Sequence, residues 1–358
     1  MLMNISVAIV GLPNAGKSTL FNALLARQIA DVAPYPFCTI EPNVGVVEVP
    51  DERLPILAEI VGTEKIIPAV VEFVDIAGLV AGASKGQGLG NKFLAHIREC
   101  QAIVHVLRAF EDKNVSHEGD IDPKSDLEVV KTELCLADLQ TLEKQKQPNP
   151  SVATKEEQEV WALVQKIRPK LEQGIELKDQ ALSEGEIALL QPLSLLTIKP
   201  AIVVLNIDEK DIKKNFGKEF LPICAKIEME LTDLEPEERK QYLSELGLQE
   251  SGLEKLIRKG FEILGLQTFL TAGEKEVRAW TIKKGWTAPQ AAGVIHTDFE
   301  KGFIKAKVVD YQDFVKCGGW KGSAEAGKVR LEGRDYQMQD GDVVEFMFNL
   351  PAGRQVIR

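Results

Sequence analysis

Along the first 125 residues, short and almost unbroken apolar runs alternate with helical patterns. Ile5–Val10, Val44–Val49, Ala69–Val74 and Ile103–Leu107 are rich in valine and isoleucine, as strands buried on both faces of a mostly parallel sheet are. Ala201–Leu205 and Leu221–Cys224 repeat the pattern much later. In between, Asp126 to Lys199 reads as helical throughout, with Leu127, Val130, Leu134 and Leu142 marking one apolar stripe at helical spacing. Thr154-x-x-Glu157 and Ser183-x-x-Glu186 are capping boxes that start further helices, and Pro148–Ser151 is a turn. The pattern predicts a helical insertion, an antiparallel hairpin, interrupting an α/β domain. Extra helices packed on the same core are the alternative. After Gly273, short runs (Val277–Ile282, Phe303–Val309, Val343–Phe348) alternate with glycine-rich turns. Here we expect a small β-rich α+β module. The division is therefore residues 1–125 and 199–272 for the α/β domain, 126–198 for the insertion and 273–358 for the last module.

Composition narrows the class. With 358 residues, 44% of them hydrophobic and 27% charged, the chain has enough apolar material for a real core, which excludes intrinsic disorder. No run approaches the roughly 18 uninterrupted apolar residues of a membrane span, so no membrane association is expected. Met1–Asn4 carries no basic leader, so no signal peptide is expected either. Five scattered cysteines without a CxxC pair point to reduced thiols in a cytoplasm rather than a disulfide frame or zinc site. The net charge of −11 argues against indiscriminate nucleic-acid binding. It is unevenly spread: from Lys275 onward 14 Lys and Arg face 11 Asp and Glu. The last module is thus mildly basic on an acidic body, which suggests a different partner.

The chemistry begins directly after the first strand. Gly11-Leu12-Pro13-Asn14-Ala15-Gly16-Lys17-Ser18 is a complete GxxxxGK[ST] motif that opens a helix through Thr19 to Leu24. Its glycines let the backbone curl so that N–H groups face phosphate oxygens, and the helix N-terminus adds its positive dipole. Lys17 is expected at the β/γ-phosphates and the Ser18 hydroxyl on Mg²⁺. Thr39 can offer a second hydroxyl to the metal. Asp75 ends the Ala69–Val74 strand, where a carboxylate holds a metal-bound water, and Gly78 can bring its N–H to the γ-phosphate. Gly78, Gly82, Gly86, Gly88 and Gly90 then give the backbone freedom that a nucleotide-sensing loop requires. Asn14 could help hold K⁺ beside the phosphates, as similarly placed asparagines do in potassium-stimulated P-loop enzymes.

Base choice is read from the segment after Ala201–Leu205. Many GTP switches carry Asn-Lys-x-Asp there; this chain carries Asn206-Ile207-Asp208-Glu209. The lysine is gone and the carboxylate is one methylene longer, which displaces the guanine fork and leaves ATP as the expected nucleotide. Cys224-Ala225-Lys226 would supply the last base-contacting loop. Leu79 stands where such switches place a water-orienting Gln, and an apolar side chain cannot do that work. His117, on the loop after Ile103–Phe110, is the candidate to accept a proton or orient water, with a solvent-facing loop histidine as the alternative. His96 and His105 are expected to be packed.

These segments, together with PFCTIEPN (Pro36–Asn43), Phe73–Glu99, EVRAWTI (Glu276–Ile282) and Ala288–Ile304, resemble the YchF/Obg-like ATPase family along almost the whole chain. The resemblance implies a Ras-like P-loop NTPase domain with a helical coiled-coil insertion and a C-terminal α+β TGS domain of ubiquitin-like grasp. It implies Mg²⁺-dependent ATP hydrolysis in preference to GTP and association with ribosomes. It implies a functional histidine at His117, nucleotide contacts from Asn14, Ala15, Gly16, Lys17, Ser18, Thr19, Gly78, Asn206, the backbone of Ile207, and Glu209, and metal contacts from Ser18, Thr39 and Asp75. A monomer is expected. Ala15 departs from the family's usual Val, and Ala81 from its usual Lys. Arg278, Lys283, Lys284, Lys301, Lys305 and Lys307, interleaved with Trp280 and Trp286, are a candidate face for ribosomal RNA; a solvated surface over core tryptophans is the equal alternative. Two further readings stay open, a nucleotide-sensing protein in which hydrolysis is incidental and a GTPase of relaxed base specificity.

Overall fold

The computed structural model describes residues 5–31, 43–76, 89–111 and 121–349. Its strands, in chain order, are β1 (Ser6–Val10), β2 (Val44–Glu48), β3 (Ile66–Ile67), β4 (Val70–Asp75), β5 (Ala102–Ala109), β6 (Ala201–Ile207), β7 (Leu221–Ile223), β8 (Leu266–Ala272), β9 (Val277–Lys283), β10 (Phe303–Asp310), β11 (Arg330–Glu332) and β12 (Asp342–Phe348). The α-helices are α1 (Lys17–Asp31), α2 (Arg53–Val61), α3 (Leu89–Glu99), α4 (Pro123–Glu143), α5 (Lys155–Glu172), α6 (Glu184–Leu190), α7 (Ala225–Thr232), α8 (Pro236–Leu246), α9 (Gly252–Ile263), α10 (Ala288–Ile295), α11 (Thr297–Lys301), α12 (Tyr311–Lys316) and α13 (Trp320–Glu325). The chain forms two compact units, Ile5–Val47 with Glu72–Leu256, and Glu48–Val71 with Ile257 onward.

The first unit is built on a six-stranded sheet of order β2-β4-β1-β5-β6-β7. The β1–β4, β1–β5, β5–β6 and β6–β7 pairs are parallel. Every residue of β1 is buried, which is why its sequence runs apolar without alternation. Parallel neighbours bring the C-terminal ends of β1, β4, β5 and β6 to one edge, where ligands of open α/β sheets bind.

The segment from Asp126 to Lys199 is not helical throughout. α4 begins at Pro123, with Asp122 accepting from the Lys124 and Ser125 N–H groups. Residues 144–154 separate it from α5, and after Glu172 come 3₁₀ turns and the short α6. Both capping boxes form. The apolar stripe of α4 does not serve a single core, because the long helix passes three neighbours. Val130 and Leu134 pack with Phe93, Leu94 and Ile97 of α3, Leu142 packs with Leu163, Ile167 and Leu171 of α5, and Leu127 joins Leu107 and Leu205. Asp138, fully buried on α4, accepts from the Leu196 and Thr197 N–H groups and the Thr197 hydroxyl at 2.7–2.8 Å. Burial pushes its carboxyl up from the ordinary value, and these three bonds oppose the shift. They fasten the insertion to the chain entering β6. Lys199 bonds the Arg98 and Cys100 carbonyls just past α3, capping that helix end with a cation.

The second unit holds a mixed sheet of order β11-β10-β12-β8-β9-β3. Phe269, Ile282, Phe303, Val308 and Val344 form its core with Ala288, Ala291 and Ala292 of α10. Trp280 and Trp286 pack against that core. The Trp280 indole N–H donates to the Thr271 hydroxyl at 3.0 Å, and Arg278 stacks 4.0 Å over its ring. The hairpin β8–β9 straddles residue 273, so the sequence boundary falls inside one antiparallel pair. Glu48–Val71 belongs to this unit as well, with β3 pairing parallel to β9.

Two histidines test packing expectations. His96 is exposed, not packed, because α3 buries positions 93, 94 and 97 and turns 96 away. His105 is packed, 1% exposed on β5, and among the described residues neither ring nitrogen has a hydrogen-bond partner. Burial, reinforced by Lys178 and Lys131, pushes its imidazole down to about 3. The ring is therefore neutral in the folded protein across the range where an unfolded histidine takes up a proton. Stability must then fall as pH drops below about 6.5. Urea titrations of His105→Leu between pH 6 and pH 5 should show a loss smaller than wild type's by about 1 kcal/mol. Equal slopes would mean that the folded imidazole titrates normally.

Candidate active site

The phosphate loop is shaped by contacts with neighbouring strands. Gly11 follows β1 so close to β5 that a Cβ there would lie 2.3 Å from the Val106 carbonyl oxygen. Asn14 and Gly16 adopt left-handed backbone, φ 63° and 89°, which curls the chain back toward α1. Gly16 is doubly constrained, because its Cβ would also stand 2.1 Å from the Asn206 Nδ2. Leu20 N–H donates to the Gly16 carbonyl at 3.0 Å, so α1 grows directly out of the loop.

Lys17 is buried, and its ammonium donates to the Leu12 carbonyl at 2.9 Å, across the loop. Burial pulls its pKa down, and the charge of Asp75 works in the opposite direction. Asp75, at the end of β4, is 9% exposed. Burial raises its carboxyl above the ordinary value, with Lys17 and a bond from Ser18 opposing. The Ser18 hydroxyl donates to Asp75 Oδ2 at 3.4 Å, whereas the buried Oδ1 has no partner among the described residues. An uncommitted carboxylate oxygen beside a hydroxyl and an ammonium is a donor set that fits a hard divalent cation and phosphate oxygens. Ser18 and Thr19 are exposed on the first turn of α1 and Ala15 is buried.

At the end of β6 the structure gives three different environments to the segment predicted to read the base. Asn206 is buried and spends both ends of its amide on backbone: Nδ2 donates to the Ala15 carbonyl at 3.0 Å, and Oδ1 accepts from the Ala225 N–H at 3.1 Å. Ile207 is 3% exposed and packs with Leu107, Leu205, Cys224 and Ile227. Its side chain is part of the core, which leaves only its backbone to face a base. Glu209 opens a 3₁₀ turn, half-exposed, 3.7 Å from the Lys226 ammonium. Cys224 is the residue before α7, its thiol pushed up by burial.

The loop Asn14–Thr19, Asp75 and Asn206 thus converge on one sheet edge. Thr39, Gly78, Leu79, Ala81 and His117 lie outside the described residues. The basic positions of the second unit fall into two groups, Arg278, Lys283 and Lys284 at β9 and Lys301, Lys305 and Lys307 at β10, with β8 and β12 between. Lys307 is paired with Glu345 at 2.8 Å. Sequence reasoning missed Arg108 and Phe110, although a charge closing an apolar strand is a visible signal.

The Asn206 amide yields a direct test. Asn206→Asp replaces the donor to Ala15 with a carboxylate oxygen facing a carbonyl, whereas Asn206→Ala only removes the bond. Binding of a non-hydrolysable nucleotide, followed calorimetrically, should weaken about tenfold in the alanine variant and further in the aspartate variant. The reverse order would mean that the donor contact is not what holds the loop.

Comparison with known proteins agrees with this geometry. The family model for the 50S ribosome-binding GTPase matches residues 6–155, and a C-terminal YchF-GTPase model, described as a protein of unknown function, matches residues 266–349. Proteins named ribosome-binding ATPase YchF from Haemophilus ducreyi, Escherichia coli O157:H7 and Bacillus subtilis are 50%, 49% and 48% identical, each alignment covering 97% of this chain and 100% of the relative. The solved Schizosaccharomyces pombe YchF GTPase superposes with a TM-score of 0.84 at 37% identity, covering 96% of this chain and 98% of that one. With a phosphate loop, a buried Lys17–Asp75 pair and full-length relatives at this level of identity, the chain belongs to the YchF family of P-loop nucleotide hydrolases.

Proposed function

We propose that this protein is a Mg²⁺-dependent ATPase that works as a switch on the ribosome. The observation that carries the reading is the buried Lys17–Asp75 pair with the open Asp75 Oδ1, set beneath a loop whose curvature is locked by Gly16 against Asn206. Lys17 would neutralise β/γ-phosphate charge, and backbone N–H groups of the Asn14–Thr19 loop would contact the phosphates. Ser18 and Asp75, with Thr39, would hold the metal, which when bound offsets charge developing between the β- and γ-phosphates. Gly78 would report the γ-phosphate through its N–H, and Asn14 would help hold K⁺.

Ile207 and Glu209 support ATP preference. The Ile207 side chain lies in the core and cannot cover a purine as a lysine stem would, and Glu209, 3.7 Å from Lys226, is one methylene longer than the aspartate that holds guanine. His117 is the residue assigned to orient or deprotonate the attacking water, since Leu79 cannot. The names of the relatives support a ribosomal partner, and the ubiquitin-like TGS reading of the second unit, with rRNA contact through its basic strands, belongs to the same proposal. We further infer a cytoplasmic monomer.

Calorimetric titration with non-hydrolysable ATP and GTP analogues, in Mg²⁺ with K⁺ or Na⁺, tests the reading. ATP should bind more tightly than GTP, and Lys17→Ala should weaken binding by about 100-fold through the lost charged bonds. Tighter GTP binding would return the protein to the GTPases. His117→Ala should leave ATP affinity unchanged yet slow ribosome-stimulated turnover by about 100-fold; an unchanged rate would leave the histidine without a role in hydrolysis.

A further inference from the structure

Arg108 ends a strand of apolar residues and is nevertheless only 3% exposed. It lies on β5 in register with Asn206 of β6. Its Nε donates to the Phe110 carbonyl at 3.1 Å, and its guanidinium sits 4.9 Å from the centre of the Phe110 ring. Nη1 is buried and has no hydrogen-bond partner among the described residues. A guanidinium in that position is costly, and an apolar side chain of similar volume in place of a buried charge is often neutral or stabilising. An unsatisfied buried donor in a native fold calls for an explanation other than stability.

The explanation lies in what Arg108 holds. Phe110 Cε1 stands 3.8 Å from the point where a side chain on Gly16 would begin. The ring therefore wedges against the phosphate loop at the place where that loop meets Asn206. One residue later, Glu111 N–H donates to Asp208 Oδ2 at 3.3 Å, tying the exit of β5 to the Asn206–Glu209 segment. The two contacts given for the guanidinium, the Phe110 carbonyl and the Phe110 ring, are the route by which it bears on the site.

We propose that Arg108 is a positioning residue for nucleotide binding, holding the Phe110 ring against Gly16 and so fixing the phosphate loop relative to the Asn206–Glu209 segment. The inference rests on the reading of this edge as a nucleotide site. Arg108→Met preserves the stem and removes the fork; Arg108→Lys preserves the charge alone. Affinity for a non-hydrolysable ATP analogue with Mg²⁺ is measured by calorimetry, and the melting temperature without nucleotide is recorded beside it. Arg108→Met should melt at or above the wild-type temperature yet bind about tenfold more weakly, with Arg108→Lys between the two. Phe110→Leu should show a similar loss, and the double variant with Arg108→Met no further one, because both act at one contact. Wild-type affinity in Arg108→Met overturns the proposal, as do additive losses in the double variant or a lowered melting temperature that accounts for the weaker binding. If wild type binds and Arg108→Met matches it, the positioning role falls and the nucleotide site stands. If wild type itself does not bind the analogue, both fall.

Discussion

Both ends of the Asn206 carboxamide are spent on backbone, the Ala15 carbonyl on one side and the Ala225 N–H on the other. Three stretches that are distant in sequence, the phosphate loop, the end of β6 and the start of α7, are thereby held at hydrogen-bonding distance inside the protein. Gly16 completes the arrangement by bringing its backbone where any side chain would strike that amide. A loop that must present successive N–H groups to an anion cannot also be loose, because disorder would be removed at the expense of binding. Asn206 confers the order in advance. The residue that the sequence reading assigns to base recognition is, in the structure, a brace between the phosphate loop and the start of α7.

The electrostatics of the edge follow from the same closeness. Lys17 and Asp75 are buried together, and desolvation pushes each toward its neutral form while each opposes the shift in the other. Such a pair contributes little stability, since the desolvation penalty of two charges rivals their attraction. It makes sense as a site prepared for a ligand that brings both signs, anionic phosphates for the lysine and a cation for the open carboxylate oxygen. Arg108 adds a second buried cation on the neighbouring strand β5.

The loop motif, the strands around it and both capping boxes were legible because each rests on local rules: glycines where backbone must curl, apolar runs where both faces are covered, Ser or Thr three residues before Glu. What was not legible depends on partners far along the chain. Leu266–Ala272 falls on the α/β side of the boundary drawn from the sequence, and only its antiparallel partner β9 and its parallel partner β12 assign it to the second sheet. Residues 48–71 carry no composition shift to mark them as part of that unit. The α4 stripe looked like one face, and the three neighbours that divide it are set by tertiary packing. His96 was misplaced because one apolar-looking helix offers two sides, and the choice between them is made by α4. That the Ile207 side chain turns into the core is set by Leu107, Cys224 and Ile227, which no local rule places beside it.

Residues Glu48–Val71 also change what kind of object the second unit is. The polypeptide crosses between the units near residues 47, 71 and 256, so the second unit is not a bead on the end of a string. Its covalent ties include both flanks of the chain between β2 and β4, the two strands on either side of that excursion. A protease cutting once near residue 265 would therefore leave α2 and β3 attached to the N-terminal fragment, severed from β9, which β3 pairs with. Neither fragment would hold the second sheet complete. For the same reason a gene encoding only the last hundred residues would specify an incomplete module, and recombination between relatives at that boundary would join a sheet to a foreign edge strand.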